Sequence, residues 1–338
     1  MASTSAQVNL LSPPDQITPA NALALSQKAP KILASSPTSS LPWPLSLLFS
    51  TETPFSWTIH ENLFLSSLRT GDDASARQIL DRLTSRFGAS NERIITLRGI
   101  YDESQAKDAK DLEKVFQDYE NILREDSTNF GIRKRRVAVL KALGKTDQAI
   151  TALTVLLESS PTDAEAWAEL ADLYAQVGEW SKAIFSLEEV LLIVPNAWSA
   201  HAQVATYHYL STKSSSASST PSPATTLQSL TLALKHFARS IELNESYLRG
   251  YYGLKLVSKQ LISLLSDPSS NPSSKRPTDD DVPVPKEATV KKLEELATTK
   301  LAEIVRSYSS GKKDWAGYNE AEVIATRELL DRDGKIER

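Results

Sequence analysis

The chain has 338 residues, a formal net charge of −4 and no cysteine. That balance gives nucleic acid no electrostatic attraction, and the missing thiols exclude disulfides, thiolate nucleophiles and cysteine-based zinc sites. No segment reaches the roughly 20 apolar residues of a bilayer-crossing helix, and the first basic residue, Lys28, comes too late for a secretory signal. A soluble chain in a reducing, cytosolic compartment is expected.

Residues 1–55 are rich in Ser, Thr and Pro, with one expected helix at Pro19–Ala29. The apolar patch Leu41-Pro-Trp-Pro-Leu-Ser-Leu-Leu-Phe49 follows. It reads either as an N-terminal cap on what comes next or as an anchor for a partner.

From Trp57 onward a helix-turn-helix pattern recurs. The first copy, Trp57–Ser90, carries Leu63, Gly71, Ala76, Leu80 and Leu83. The second, Asn91–Asn129, carries Gly99, Val115, Tyr119 and Ile122, with a long charged turn expected over Asp102–Asp111. The third opens at Gly131, with Arg133 and Arg136 at positions that Trp167 and Leu170 fill in the next copy. Those arginines are expected either on an exposed face or with packed stems and solvated heads.

The clearest copy is Asp163–Pro195. Trp167, Leu170, Ala171 and Tyr174 mark one helix face, Gly178 turns the chain, and Ala183, Leu187 and Val190 mark a second face. Gly144, Ala149, Leu153 and Pro161 of the third copy match Gly178, Ala183, Leu187 and Pro195 at one fixed offset. With only 11 glycines and 17 prolines in the chain, four coincident landmarks define the register. Trp198–Leu210 and Leu227–Leu243, with Ala233 and Phe237, make another copy, and Tyr247–Leu265 begins a last one.

This is the 34-residue tetratricopeptide (TPR) pattern. It predicts an all-α fold, a TPR-type α-solenoid with about five hairpins over residues 56–265, wound as a right-handed superhelix. Residues 211–226 form a low-complexity insert and 267–286 a Pro/Ser/Asp linker, both expected to be mobile. Residues 287–338 are expected as capping helices, Ala288–Tyr308 and Tyr318–Leu330.

Catalysis needs a nucleophile, base or metal in convergent geometry. No Gly-rich phosphate loop, Gly-x-Ser-x-Gly or His-Glu-x-x-His occurs. His201 and His208 lie seven residues apart, too far to share a metal without a third element between them. A non-enzyme without cofactor or metal is expected.

A TPR array offers a groove lined by the first helix of each hairpin. In this register the lining includes Lys134, Arg135 and Lys141, then Glu165, Glu169 and Asp172, then Gln203, Thr206 and Tyr209, and finally Arg249 and Tyr252. Such a polar surface of mixed sign suits an extended or helical protein segment, with charge pairing setting register. Reversing Lys134, Arg135 and Lys141 to Glu is expected to weaken partner recovery with the fold intact. The alternative is a cytosolic TPR adaptor or chaperone co-factor, but Ala138 stands where a carboxylate clamp needs Asn.

The segments Tyr119-Glu-Asn-Ile-Leu-Arg-Glu-Asp126, Ile132-Arg-Lys-Arg-Arg-Val-Ala-Val139, Glu165-Ala-Trp-Ala-Glu-Leu-Ala-Asp-Leu-Tyr174 and Lys182-Ala-Ile-Phe-Ser-Leu-Glu-Glu189 carry a resemblance. So do His236-Phe-Ala-Arg-Ser-Ile-Glu-Leu243 and Gly250-Tyr-Tyr-Gly-Leu254. Over roughly residues 57–265 the chain resembles subunit 2 of the ER membrane protein complex. Its inserts and long N-terminus look like a fungal elaboration. The resemblance implies a non-catalytic scaffold on the cytosolic face of the ER, peripheral to the membrane and bound to it only through partners. Those partners would be the cytosolic tails and loops of membrane subunits, with a second soluble subunit in many lineages. The complex so implied inserts tail-anchored and other transmembrane proteins.

Overall fold

A computed structural model describes residues 9–13, 19–35, 53–213, 222–266, 283–311, 317–332 and 334. The patch Leu41–Phe49, residues 214–221 of the first insert and 267–282 of the linker lie outside the described residues. Every regular element among the described residues is an α-helix.

Two short helices come first, α1 (Pro19–Ser26) and α2 (Ala29–Ser35), followed by α3 (Pro54–Arg69) and α4 (Asp73–Phe87). Next are α5 (Glu92–Gln105), α6 (Ala109–Glu125), α7 (Phe130–Ala142) and α8 (Thr146–Ser159). Then come α9 (Ala164–Gln176), α10 (Trp180–Ile193), α11 (Trp198–Ser211) and α12 (Pro223–Leu243). The last three are α13 (Leu248–Leu265), α14 (Glu287–Ser309) and α15 (Glu320–Arg332).

Helix starts are written locally. The side chains of Asp72, Asn91, Asp108, Asn129 and Asp163 each accept a backbone N–H of the first turn they open, which satisfies a donor the helix leaves unpaired. Gly144 and Gly178 hold the equivalent inter-helix turns at φ of 71° and 80°, a conformation that costs glycine nothing.

The chain folds as two compact units, residues 1–152 and 153–338. In the first, α3 packs on α4, α4 on α5 and α5 on both α6 and α7. Leu63, Phe64, Ile79, Leu83 and Leu97 are buried at its centre. The N-terminal side of this stack is covered by α1 and α2, which pack on α3 and α4. Leu25 and Ala29 are fully buried there. Asn62 Nδ2 donates to the Leu10 carbonyl at 2.8 Å, and Arg82 Nη2 to that of Leu33 at 3.0 Å. The single helix expected at Pro19–Ala29 is thus two, broken at Gln27–Lys28. These contacts come from within residues 1–55, expected as an N-terminal extension and cap, while the apolar patch Leu41–Phe49 singled out for docking lies outside the described residues.

In the second unit α9 packs on α10, α10 on α11, α11 on α12, α12 on α13 and α13 on α14. The small residues Ala171, Ala183, Ala205 and Ala233 are buried throughout and let the helix axes approach. Leu187, Leu230, Leu254, Leu301 and Ile304 fill the spaces between them. α14 is joined to α13 by a polar contact inside this apolar core. Lys255, 1% exposed, donates to Glu294 Oε1 at 2.8 Å and to Thr298 Oγ1 at 2.7 Å.

Three local expectations are corrected. The turn between α5 and α6 is Ala106–Asp108 rather than Asp102–Asp111, because α5 continues to Gln105. α12 begins at Pro223, four residues before the expected Leu227. Ser222 caps it and Pro223 takes the first helical position, where a missing N–H costs nothing. Trp167, placed on the core face, is only half-buried. Its Nε1 donates to the Pro161 carbonyl at 2.8 Å and its ring meets Phe185 edge-on.

Arg133 and Arg136 resolve in favour of packed stems. Arg136 pairs with Glu120 and lies over the Phe116 ring, and Arg133 lies over Phe130.

Gly253 on α13 faces the ring of Phe237, with which any added Cβ would collide. Gly253→Ala is therefore expected to destabilise the protein by about 1–3 kcal/mol, as overpacking does. Gly317→Ala, which meets no atom within 4 Å, should leave the melting temperature unchanged in the same calorimetric series.

Candidate functional site

The expected groove residues sit on the first helices of successive hairpins, and within each unit several of them are tied to neighbouring helices. In the first unit Arg93 on α5 donates through Nε and Nη2 to Glu61 Oε2 on α3, at 3.2 and 2.8 Å. One hairpin later Arg135 on α7 holds Glu103 on α5. Its Nε donates to Oε1 at 2.8 Å, and Nη2 pairs with Oε2. The Tyr119 hydroxyl donates to the same Glu103 Oε1 at 2.5 Å. Burial and the adjacent carboxylate push the Tyr119 phenol well above its usual range. Arg135 is therefore a buried-side tie between helices, not a free surface cation. Placing Glu there would set two carboxylates together and leave Tyr119 OH facing both.

In the second unit Asp172 on α9 accepts from Gln203 Nε2 at 2.5 Å and from Tyr207 OH at 2.7 Å, both on α11. On α13, Arg249 donates through Nε and Nη2 to Glu322 Oε1 on α15, at 2.9 and 2.7 Å. Lys134, Lys141, Glu165 and Glu169 also have interactions of their own.

Glu103, Tyr119, Tyr207 and Glu322 were missed by sequence reasoning. A signal for the first was available: Glu61–Arg93, Glu103–Arg135 and Glu113–Lys145 are all opposite charges 32 residues apart. That is just under one repeat, the offset at which neighbouring hairpins meet.

The structure brings Thr206, Tyr209, Arg249 and Tyr252 together. These expected residues line one cavity of about 430 Å³, whose walls are otherwise mostly apolar and include Phe237 and Leu256. Burial, with Tyr252 next to it, raises the Tyr209 phenol above its usual range. Glu165, Glu169, Asp172 and Gln203 lie outside this cavity. Such a site can take an apolar side chain while offering hydroxyl and guanidinium donors at its edge.

The histidines form a separate cluster. His236 on α12 lies between His201 and His208 of α11, with Nδ1 of His201 and His236 3.1 Å apart and the His208 ring stacked on His236. His201 Nε2 lies 3.1 Å from the Pro195 carbonyl. A carbonyl only accepts, so His201 donates its Nε2–H there. Burial lowers the pKa of His208 and His236 to about 4, and for His236 the two other imidazoles add to it. Among the described residues no group of three or more His, Cys, Asp and Glu is arranged to hold a metal ion.

Residues 140–204 match the tetratricopeptide repeat family. The chain is 32% identical to the TPR repeat protein oca3 of Schizosaccharomyces pombe over 62% of its own length and 68% of that protein's. It is 32% identical to ER membrane protein complex subunit 2 of Xenopus tropicalis over 65% and 67%. Its identity to the Saccharomyces cerevisiae protein of the same name is 26%, over 60% and 68%. The fold is accordingly an all-α TPR fold.

Two measurements follow from this geometry. Arg135→Glu should lower stability by about 2 kcal/mol, the scale of lost charged hydrogen bonds. Adding Glu103→Arg should restore part of it, read by urea denaturation of single and double variants. In the folded protein His208 and His236 have pKa values below the ordinary 6.5, so between about pH 4 and 6.5 the unfolded chain binds more protons. Their contribution is complete above pH 6.5 and declines as pH falls towards 4. The melting temperature of wild type should therefore fall more steeply over that window than that of His236→Gln; parallel curves would refute the assignment.

Proposed function

The chain belongs to the family of ER membrane protein complex subunit 2, and from that premise we propose that it is a non-catalytic TPR scaffold at the cytosolic face of the ER membrane. It binds cytosolic tails and loops of that complex's membrane subunits and so supports insertion of tail-anchored and other transmembrane proteins. Its first-helix faces are the binding surface. The observation that carries the reading is the convergence of Tyr209, Arg249 and Tyr252, chosen as groove residues by repeat register, on one cavity of about 430 Å³. A polar rim around an apolar floor suits a protein segment that needs an anchor and a register.

Among the described residues no helix is long and apolar enough to cross a membrane. Attachment through partners is consistent with that. In the unit that holds the anchor, Glu165, Glu169, Asp172 and Gln203 are further contacts for the bound segment; in the other unit Lys134 and Lys141 offer contacts of their own, and Arg135 supports the helix carrying them.

The test is fractionation followed by affinity purification from detergent-solubilised membranes. The chain should sediment with ER membranes, leave them under alkaline wash, and co-purify with integral ER membrane proteins. Recovery only in the soluble fraction, or with chaperones alone, would overturn the reading.

A further inference from the structure

The wall of the cavity that closes it on one side belongs to α15, and the way α15 docks shows what this face accepts. α15 opens with Glu320 and Glu322 and buries Val323, Leu329 and Leu330. It is an acidic amphipathic helix. Its Glu322 carboxylate rests on Arg249, and Tyr318 just before it donates to the Ser246 carbonyl at 2.8 Å. At the cavity itself α15 presents Glu322, held by Arg249, and the methyl group of Ala325, so its one apolar contribution there is small and the space beside it is left unfilled.

The charge around that space is unbalanced. The Arg249 side chain is 67% exposed even while paired with Glu322. Lys213 is exposed at the end of α11, with its Nζ 5.4 Å above the Tyr209 ring. Arg249, paired with Glu322, thus lines a floor of aromatic and aliphatic carbon, and Lys213 adds a second cation over the Tyr209 ring that belongs to it.

We propose that this cavity anchors a large apolar side chain from an acidic amphipathic segment of a partner protein, laid beside α15, with its carboxylates towards Lys213 and Arg249. The proposal rests on the scaffold reading above and names the chemistry of the segment it holds. Charge selects the segment and its direction, while the apolar anchor supplies most of the hold.

The test is site-specific photo-crosslinking in the full chain assembled with its partners. A benzophenone amino acid replaces Leu210 at the cavity's edge and, in a separate preparation, Glu169 on α9, outside the cavity. Cross-linked peptides are then identified by mass spectrometry. The Leu210 probe should label a partner peptide with Leu, Ile, Phe or Met within one helical turn of Asp or Glu. Ala325→Leu, which fills the cavity, should reduce that product at least tenfold with no loss of helical circular dichroism. Lys213→Glu should reduce it several-fold, more so at low salt.

Partner labelling from Glu169 but none from Leu210 would overturn the cavity proposal and leave the scaffold reading standing. Labelling of a basic or uncharged segment, or yield indifferent to Ala325→Leu, would also overturn it. Absence of partner labelling from both sites would overturn both.

Discussion

A two-helix hairpin has more apolar surface than it can cover by itself, and that constraint governs the rest of this structure. Inside each unit the remedy is a neighbour: α3 through α7 cover one another in sequence, as do α9 through α14. At the ends of the chain different segments are recruited. α1 and α2, with Leu10, close the N-terminal side of α3 and α4. α14 lies against α13 and buries Val290, Ala297, Leu301 and Ile304. Fully burying one such leucine contributes about 1.5–3 kcal/mol, against at most about 1 kcal/mol for an exposed ion pair. Apolar covering therefore holds the stack together.

The polar contacts have a different job. Glu61–Arg93, Glu103–Arg135, Asp172–Gln203 and Arg249–Glu322 each join helices from different hairpins. They act between faces that would tolerate sliding if only methyl groups met. Most are too exposed to add much stability, but each has one good register. Lys255 is the limiting case, because its ammonium is removed from water and depends on Glu294 and Thr298. Sliding α14 along α13 would leave a buried charge without its partners, a far larger cost than the pair contributes in place. The pairing also changes the meaning of the inner face. A groove that reads as alternately basic and acidic is already neutralised in part by its own neighbours.

Repeat register was the most legible property of the sequence, since Gly144, Gly178, Pro161 and Pro195 punctuate it and Ala171 and Ala183 mark close approach. Those signals are local and steric, so they survive without knowledge of partners. The register put Tyr209, Arg249 and Tyr252 on consecutive first helices, but did not show that the end of one helix and the start of the other share a cavity. The fates of Arg135 and Arg249 were not legible either. Whether an arginine on a helix faces solvent depends on what stands one hairpin away, and Glu322 is 73 residues from Arg249. Within the N-terminal extension expected as a cap, one helix was legible at Pro19–Ala29 but α2 was not, because short helices in a Ser- and Pro-rich stretch carry little periodicity. Trp167 shows the opposite error: its position in the repeat marks a core ring, but Phe185 and the Pro161 carbonyl hold it at the edge.

The cavity beside α15 is a product of these same rules. Phe237 approaches α13 closely because Gly253 has no side chain there, and the ring becomes cavity floor instead of filling the space further out. Ala325 leaves the opposite wall low. Protein interiors normally close such space, because unfilled volume forfeits contacts on every side. Here the space is open at the surface and bordered by hydroxyl and charged groups, so water can enter it without isolating a polar atom. The cost of keeping it is thereby small. The gain from filling it with an apolar group from outside remains, because displaced water is exchanged for contact with Phe237, Leu256 and the tyrosine rings. A stack that must be capped at its end has in α15 a helix that covers only part of the face it meets, and the uncovered part carries the residues that repeat register marks as binding.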